Sequence, residues 1–127
     1  LGKEPLEVYE GKKLLALYEN ENDIIQMNPD FELLKELDAE GVIITSKGEI
    51  VDFVSRFFAP KIGINEDPVT GAAHTMLIPF WAQKYNKNNL TALQLSERKG
   101  ELICKLAGNR VKISGKAITY LNGKIIL

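Results

Sequence analysis

Residues Gly63 to His74 read GINEDPVTGAAH, an acidic pair, a proline, a threonine and a glycine set against the start of an apolar run. That junction suits anion chemistry. The first turn of a helix leaves backbone N–H groups unpaired and carries partial positive charge, so a carboxylate or an enolate oxygen is favoured there. With Gly71 as the first helical residue, the amides of Gly71 and Ala72 are the expected donors, and glycine lets a ligand come close to the backbone. One well-placed donor of this kind is worth about 3 kcal/mol in a transition state that builds up negative charge. Pattern alone reads Asp67-Pro68 differently, as an N-cap followed by proline at the first helical position. His74, the only histidine, lies one turn deeper than Gly71, where a hydrogen-bonded helix histidine is a better reading than a catalyst. Glu66 adjoins Asp67, but neighbours in sequence need not converge.

The elements that must position these residues are legible from periodicity and punctuation. Leu6 to Glu10 and Lys13 to Tyr18 flank Gly11-Lys12 as a β-hairpin is written. Pro29 to Glu40 is predicted as an amphipathic helix, capped by Asp30, with Phe31, Leu33, Leu34 and Leu37 at helical spacing and Gly41 as its stop. Val42 to Thr45 and Ile50 to Phe58 are predicted strands, the second rich in aromatic and β-branched residues. Gly71 to Tyr85 is apolar on nearly every face, which predicts a helix enclosed by protein, with Pro79 kinking it. Four further strands are predicted at Leu90 to Leu95, Glu101 to Leu106, Arg110 to Ser114 and Ala117 to Leu121. Phe53, Phe57, Phe58, Phe80 and Trp81 are most simply core. Arg56 is within reach of Asp52 on the same strand face, so a structural ion pair is the default for it.

At 127 residues the chain is the size of one compact domain and can bury about two-thirds of its unfolded surface. Sixteen basic residues against 17 acidic ones give a net charge of −1, so no field draws in a phosphate backbone or an anionic membrane. Lys12-Lys13 and Arg98-Lys99 are short, scattered pairs without interleaved aromatics, which reads as solvated turns and excludes a nucleic-acid platform. A single cysteine, Cys104, permits no internal disulfide; its place in an alternating run makes it a buried strand residue, and a reducing compartment, the cytoplasm, is expected. One histidine and one cysteine argue against a zinc site. No run approaches the length of a membrane helix, and no signal peptide is expected. The first residue is Leu1, which leads us to expect a fragment or a processed product.

DFVSRFFAP (Asp52 to Pro60), GINEDPVTGAAH, PFWA (Pro79 to Ala82) and QLSERKGELIC (Gln94 to Cys104) resemble the C-terminal half of the phenazine-biosynthesis PhzF-like isomerase family, in its order and spacing, from about Leu6 almost to the end. More distantly, Gly63 and Thr70-Gly71 after Arg56 resemble the diaminopimelate epimerase pattern. The resemblance implies an α+β fold: one half of a diaminopimelate epimerase-like architecture, a mixed β-barrel around a buried central helix plus one amphipathic surface helix, with residues 1–127 as a single domain. It implies a cofactor-independent isomerase or epimerase that moves a proton on a small carboxylated metabolite. The cleft would be shared with an N-terminal half that this chain lacks, which holds the general acid/base glutamate and a glycine-rich anion-binding turn. In this half, Asp67 is implied as the catalytic residue, and Thr70, Gly71 and Ala72 as substrate-binding residues. Neither a metal nor a cofactor is implied.

Departures from the family also carry expectations. The family's serine is replaced by Ala72, which keeps backbone recognition of substrate and removes a hydroxyl. Lys99 replaces a glycine of an Arg-Gly-Gly turn, which alters the loop near Gly100. These departures keep open a second reading, a non-catalytic metabolite-binding or assembly domain. Expected partners are the metabolite, an N-terminal half on the same or a complementary chain, and a second copy in a homodimer. An isolated half is expected to expose an apolar patch.

Overall fold

The computed structural model describes residues 1–127. Seven strands form one sheet in chain order: β1 (Glu7–Tyr9), β2 (Leu14–Leu17), β3 (Val42–Lys47), β4 (Phe53–Phe58), β5 (Asn89–Gln94), β6 (Gly100–Ala107) and β7 (Arg110–Ser114). β2–β3 and β4–β5 are parallel, and the other neighbours are antiparallel. Parallel neighbours need a crossover. The short helices α1 (Glu21–Gln26) and α2 (Phe31–Lys35) supply the first, and α3 (Gly71–Tyr85) supplies the second.

The two crossovers lie on opposite faces, which makes two cores. Leu15, Leu17, Ile43, Phe53 and Phe57 point to α3 with Leu77, Ile78 and Trp81. Their strand neighbours Ala16, Tyr18, Val42, Ile44, Val54 and Phe58 point to Ile24, Met27 and Leu34 of the α1–α2 layer. Covered on both faces, β3 and β4 are accordingly buried at nearly every position, Thr45, Ser46 and Ser55 included. Burying one such side chain stabilises the fold by about 2 kcal/mol.

The enclosed helix forms as expected, from Gly71 to Tyr85, and ends on Asn86 in the left-handed conformation. It runs as one helix through Pro79. The sheet curls about it so that the helix reaches both edges. Phe80 packs edge-on against Tyr9 at 5.2 Å and Lys84 pairs with Glu7 at 3.5 Å on the β1 side, and Val111 of β7 packs on the same core. No ladder joins β1 to β7. The sheet is open, where a barrel was expected.

Other expectations need correction. The helix over Pro29 to Glu40 is confined to Phe31–Lys35, with Asp30 capping it through bonds from the Glu32 and Leu33 amides (3.0 and 3.2 Å). Beyond it the chain enters β3 through Gly41, hard against β4. A Cβ at Gly41 would lie 2.6 Å from the Phe57 ring and 2.7 Å from the Phe58 carbonyl, so Gly41 permits a passage that no helical continuation offers. The α1 helix was not foreseen. Asn20 caps it by accepting the Asp23 amide at 3.0 Å. Ile50 and Val51 precede β4 instead of opening it, and Ala117 to Leu121 pair with nothing. No helix is long and apolar enough to cross a membrane.

Candidate functional site

The start of α3 is assembled from the loop before it and from the end of β5. Thr70 occupies the N-cap position in extended conformation, yet its side chain does not cap the helix. Its hydroxyl turns back and donates to Asp67 Oδ2 at 2.5 Å. Gln94, fully buried on β5, fixes the turn from below. Its carbonyl accepts the Thr70 amide at 2.7 Å, and its amide nitrogen donates to the Asp67 carbonyl at 2.7 Å and to Thr70 Oγ1 at 3.0 Å. Ser96 Oγ donates to the Pro68 carbonyl at 2.8 Å, and the Asp67 amide donates to Phe57 on β4 at 3.0 Å. Asp67 is thus not the N-cap that Asp67-Pro68 suggested: the helix starts three residues later, and its carboxylate receives Thr70.

With the cap diverted, the amides of Gly71 and Ala72 donate to no protein group. Both residues are exposed, and a Cβ on Gly71 would meet nothing within 4 Å. The opening beside Gly71 is a cavity of about 600 Å³, and its wall carries Val69, Arg98, Lys99, Gly100 and Lys116. Arg98 also lines a neighbouring cavity of about 510 Å³ with Glu66, Pro68 and Ser96. The larger cavity is basic on balance, with Arg98, Lys99 and Lys116 against Glu101, which pairs with Lys116 at 3.1 Å, whereas the smaller sets Glu66 and Glu97 against Arg98. Gly100 has no room for a side chain, because a Cβ there would overlap Val69 Cγ2. This close approach brings the Arg98-Lys99 turn to the helix.

The four residues implied by the resemblance are contiguous in space but not equivalent. Gly71 faces the larger cavity; Asp67, Thr70 and Ala72 are not on its wall. Thr70 is buried, and both its amide and its hydroxyl are engaged. Asp67 is half-buried, and its Oδ1 has no protein partner.

Arg56 forms a structural ion pair as expected, but with Glu66 in place of Asp52. Arg56 forms a two-pronged pair with Glu66 (Nε–Oε1 2.7 Å, Nη2–Oε2 2.9 Å), and its Nη1 donates to the carbonyls of Ile24 and Met27 at 3.1 and 2.8 Å. The guanidinium also lies over the Phe58 ring at 4.9 Å. The anticipated Asp52 partner is taken by Lys87 and Thr91 instead. Arg56 thus ties the end of α1 to the segment that carries Asp67.

His74 is buried. Its Nδ1 lies 2.7 Å from the Thr70 carbonyl, and its Nε2 has no protein partner. Burial holds its pKa below the ordinary histidine value, with the Thr70 bond acting in the opposite direction. Gln94, Ser96 and the Arg98–Gly100 turn were not singled out as site residues from sequence. Their signal was present in QLSERKGELIC, but only the fold shows that β5 and its following turn lie under α3.

These features define a class: an α+β protein whose sheet wraps a buried helix and whose uncapped helix start, tied to one aspartate, opens on basic space. Residues 2–123 match the family model described as phenazine biosynthesis-like protein, PhzC-PhzF, and the chain belongs to that family. It is 52% identical over 128 residues to an uncharacterized isomerase of Pseudomonas aeruginosa, covering 100% of this chain and 49% of that protein. A PhzF-family crystal structure from Enterococcus faecalis superposes with a TM-score of 0.92 at 45% identity, over 100% of this chain and 49% of that one. A putative PhzC/PhzF protein from Clostridium difficile gives 0.89 at 42% identity, covering 99% and 49%. The chain thus spans about half the length of these relatives.

Proposed function

We propose that this chain is the C-terminal half of an isomerase or epimerase that moves a proton on a small carboxylated metabolite without a cofactor, in a cleft shared with the half it does not span. The observation that carries this reading is the diverted cap. Thr70 gives its hydroxyl to Asp67, the Gly71 and Ala72 amides are left without protein partners, and Gly71 stands on the wall of the larger cavity with Arg98, Lys99 and Lys116. In this reading those amides hold the substrate's carboxylate or the enolate oxygen that forms as the proton leaves carbon. Asp67 Oδ1 exchanges or steers the proton, and Thr70 sets the carboxylate's orientation from its buried side. A base from the other half receives the proton and returns it at a second position or on the other face. Relatives named as isomerases support the reaction class.

The test restores the other half, as a longer chain or as a separate polypeptide, and follows solvent deuterium into a pool of small carboxylic acids. Incorporation that is lost in Asp67→Asn is expected. Incorporation indifferent to Asp67, or none at all, counts against the reading.

One observation favours a second reading. Ala72 brings no hydroxyl to the first turn, and Thr70's is already committed, so the site holds an anion through backbone alone. A metabolite-binding or assembly domain without turnover would bind carboxylates equally well in the wild type and in Asp67→Asn, with no proton exchange in either.

A further inference from the structure

A row of polar side chains crosses the sheet face under α3. Thr45, Ser55 and Gln94 lie side by side on β3, β4 and β5, in the register Thr45–Ser55 and Ser55–Gln94, and all three are buried. Both ends of the row are satisfied. At one end the Trp81 indole donates to Thr45 Oγ1 at 3.0 Å, and that hydroxyl donates to the Val54 carbonyl at 2.7 Å. At the other end Gln94 is held by Thr70 and Asp67.

The middle is different. Ser55 Oγ and His74 Nε2 are both buried without a protein partner. They share one region of the core. The His74 ring is 5.9 Å from the ring of Phe53, which shares Ser55's face of β4, and Gln94, beside Ser55, binds the residue that His74 also binds.

Their chemistry is complementary. The Thr70 carbonyl can only accept, so His74 Nδ1 carries the proton of that 2.7 Å contact. In a ring kept neutral by burial, Nε2 is then a bare acceptor. The Ser55 hydroxyl has a proton to give and a lone pair to fill. Folded proteins seldom leave such groups unpaired, and an internal water is their common partner.

We propose that Ser55 Oγ and His74 Nε2 hold one internal water between them, and that the bridge makes His74 a positioning residue: by fixing the Nδ1–H tautomer it keeps the ring on the Thr70 carbonyl and so steadies the start of α3. Its bearing on function rests on the anion-site reading above. The water and the tautomer do not.

A single histidine makes the test direct. In the full chain, long-range proton–nitrogen correlation should show the Nδ1–H tautomer, and water-selective cross-relaxation should connect a ring proton to a long-lived water. Ser55→Ala should remove that cross-peak. It should also speed exchange of the His74 amide, which donates to the same Thr70 carbonyl at 3.4 Å, by about threefold or more. An Nε2–H tautomer, or no water cross-peak in the wild type, overturns the proposal. Loss of the water with unchanged His74 exchange overturns the positioning role. Should Ser55→Ala fail to fold, the two wild-type signals decide alone. None of these readouts involves a carboxylate ligand, so their failure is distinct from failure of the proposed reaction.

Discussion

Lys99 holds a conformation unsuited to its side chain, at φ 57° in the left-handed region, on the wall of the cavity beside Gly71. A residue with a Cβ pays about 1 kcal/mol there, which glycine avoids. The glycine usual in the resembling family fits the backbone, and the lysine adds charge at the cost of strain. Lys99→Gly is therefore expected to raise stability by about 0.5 kcal/mol, the relief being partly offset by the freer unfolded chain. It should also weaken malonate binding as followed at the Gly71 amide. A urea midpoint that falls in the variant would show that the turn is not strained. Cys104 gives a second residue-scale expectation. Burial, and then the negative charge of Asp52, push its thiol up to about 11. An aromatic disulfide reagent should leave it untouched at pH 8 in the folded chain and label it fully in denaturant.

Between elements, the decisive contact is Arg56, which joins β4, the end of α1 and the loop before α3. It is mostly buried, like its partner Glu66. Arg56→Ala leaves a carboxylate and the Ile24 and Met27 carbonyls without their donor, and should cost about 2–4 kcal/mol. Lys87→Ala breaks a more exposed pair with Asp52 and should cost under about 1 kcal/mol. Paired denaturation curves check the contrast, and comparable losses would mean that Arg56 is not a clamp. These two pairs also show what sequence could tell. The long enclosed helix was legible because an apolar run on every face, bounded by Gly71 and Asn86, admits little else. The strands were legible for a similar reason, their alternation or unbroken apolarity. Arg56's partner was not: Glu66 lies ten residues on, across a turn, and the nearer Asp52 matched the spacing rule equally well. The six-residue α1 is too short to show a period. Gln94 is an ordinary strand residue until β5 is laid under α3. A helix start within GINEDPVTGAAH was legible, but its place at Gly71 competed with the capping pattern at Asp67-Pro68, and the Arg98-Lys99 turn beside it, some thirty residues later, was not legible at all.

Over the whole molecule, two groups contribute to the acid side of stability. His74 is held below its ordinary 6.5 by burial. For Asp52, burial acts upward, but the bonds from Lys87 and Thr91 together bring it below 3.8. Each group binds its proton less readily in the folded chain than in the unfolded one. Stability is then fully present above the unfolded values and is lost as pH falls through the folded ones. The urea midpoint should stay level from pH 8 to 7, decline from about 6.5 as the unfolded histidine takes up its proton, and steepen below about 4. A midpoint flat down to pH 5 would place His74 in a more polar setting than its burial implies.

The same scale holds the clearest sign of an unfilled surface. After β7 the chain carries no helix or strand from 115 to 127, and Ile118, Tyr120, Leu121, Ile125 and Ile126 stand out almost wholly exposed. What ties this segment down is slight: Lys116 meets Glu101 at 3.1 Å, and both side chains are largely solvated. So much apolar surface favours association over solution as a monomer. Self-association through this segment is the expected outcome. Ending the chain after Gly115 should leave the melting temperature within about 2 °C, since little packing is lost. The same truncation should abolish the concentration-dependent growth in mass that light scattering is expected to show for the 127-residue chain. A large drop in melting temperature would mean that the segment packs more closely than its exposure indicates. Association that survives the truncation would shift attention to the apolar groove of about 340 Å³ between Val8, Leu14, Leu33 and Leu37, which lies against the free edge at β1 and is the other surface able to drive it.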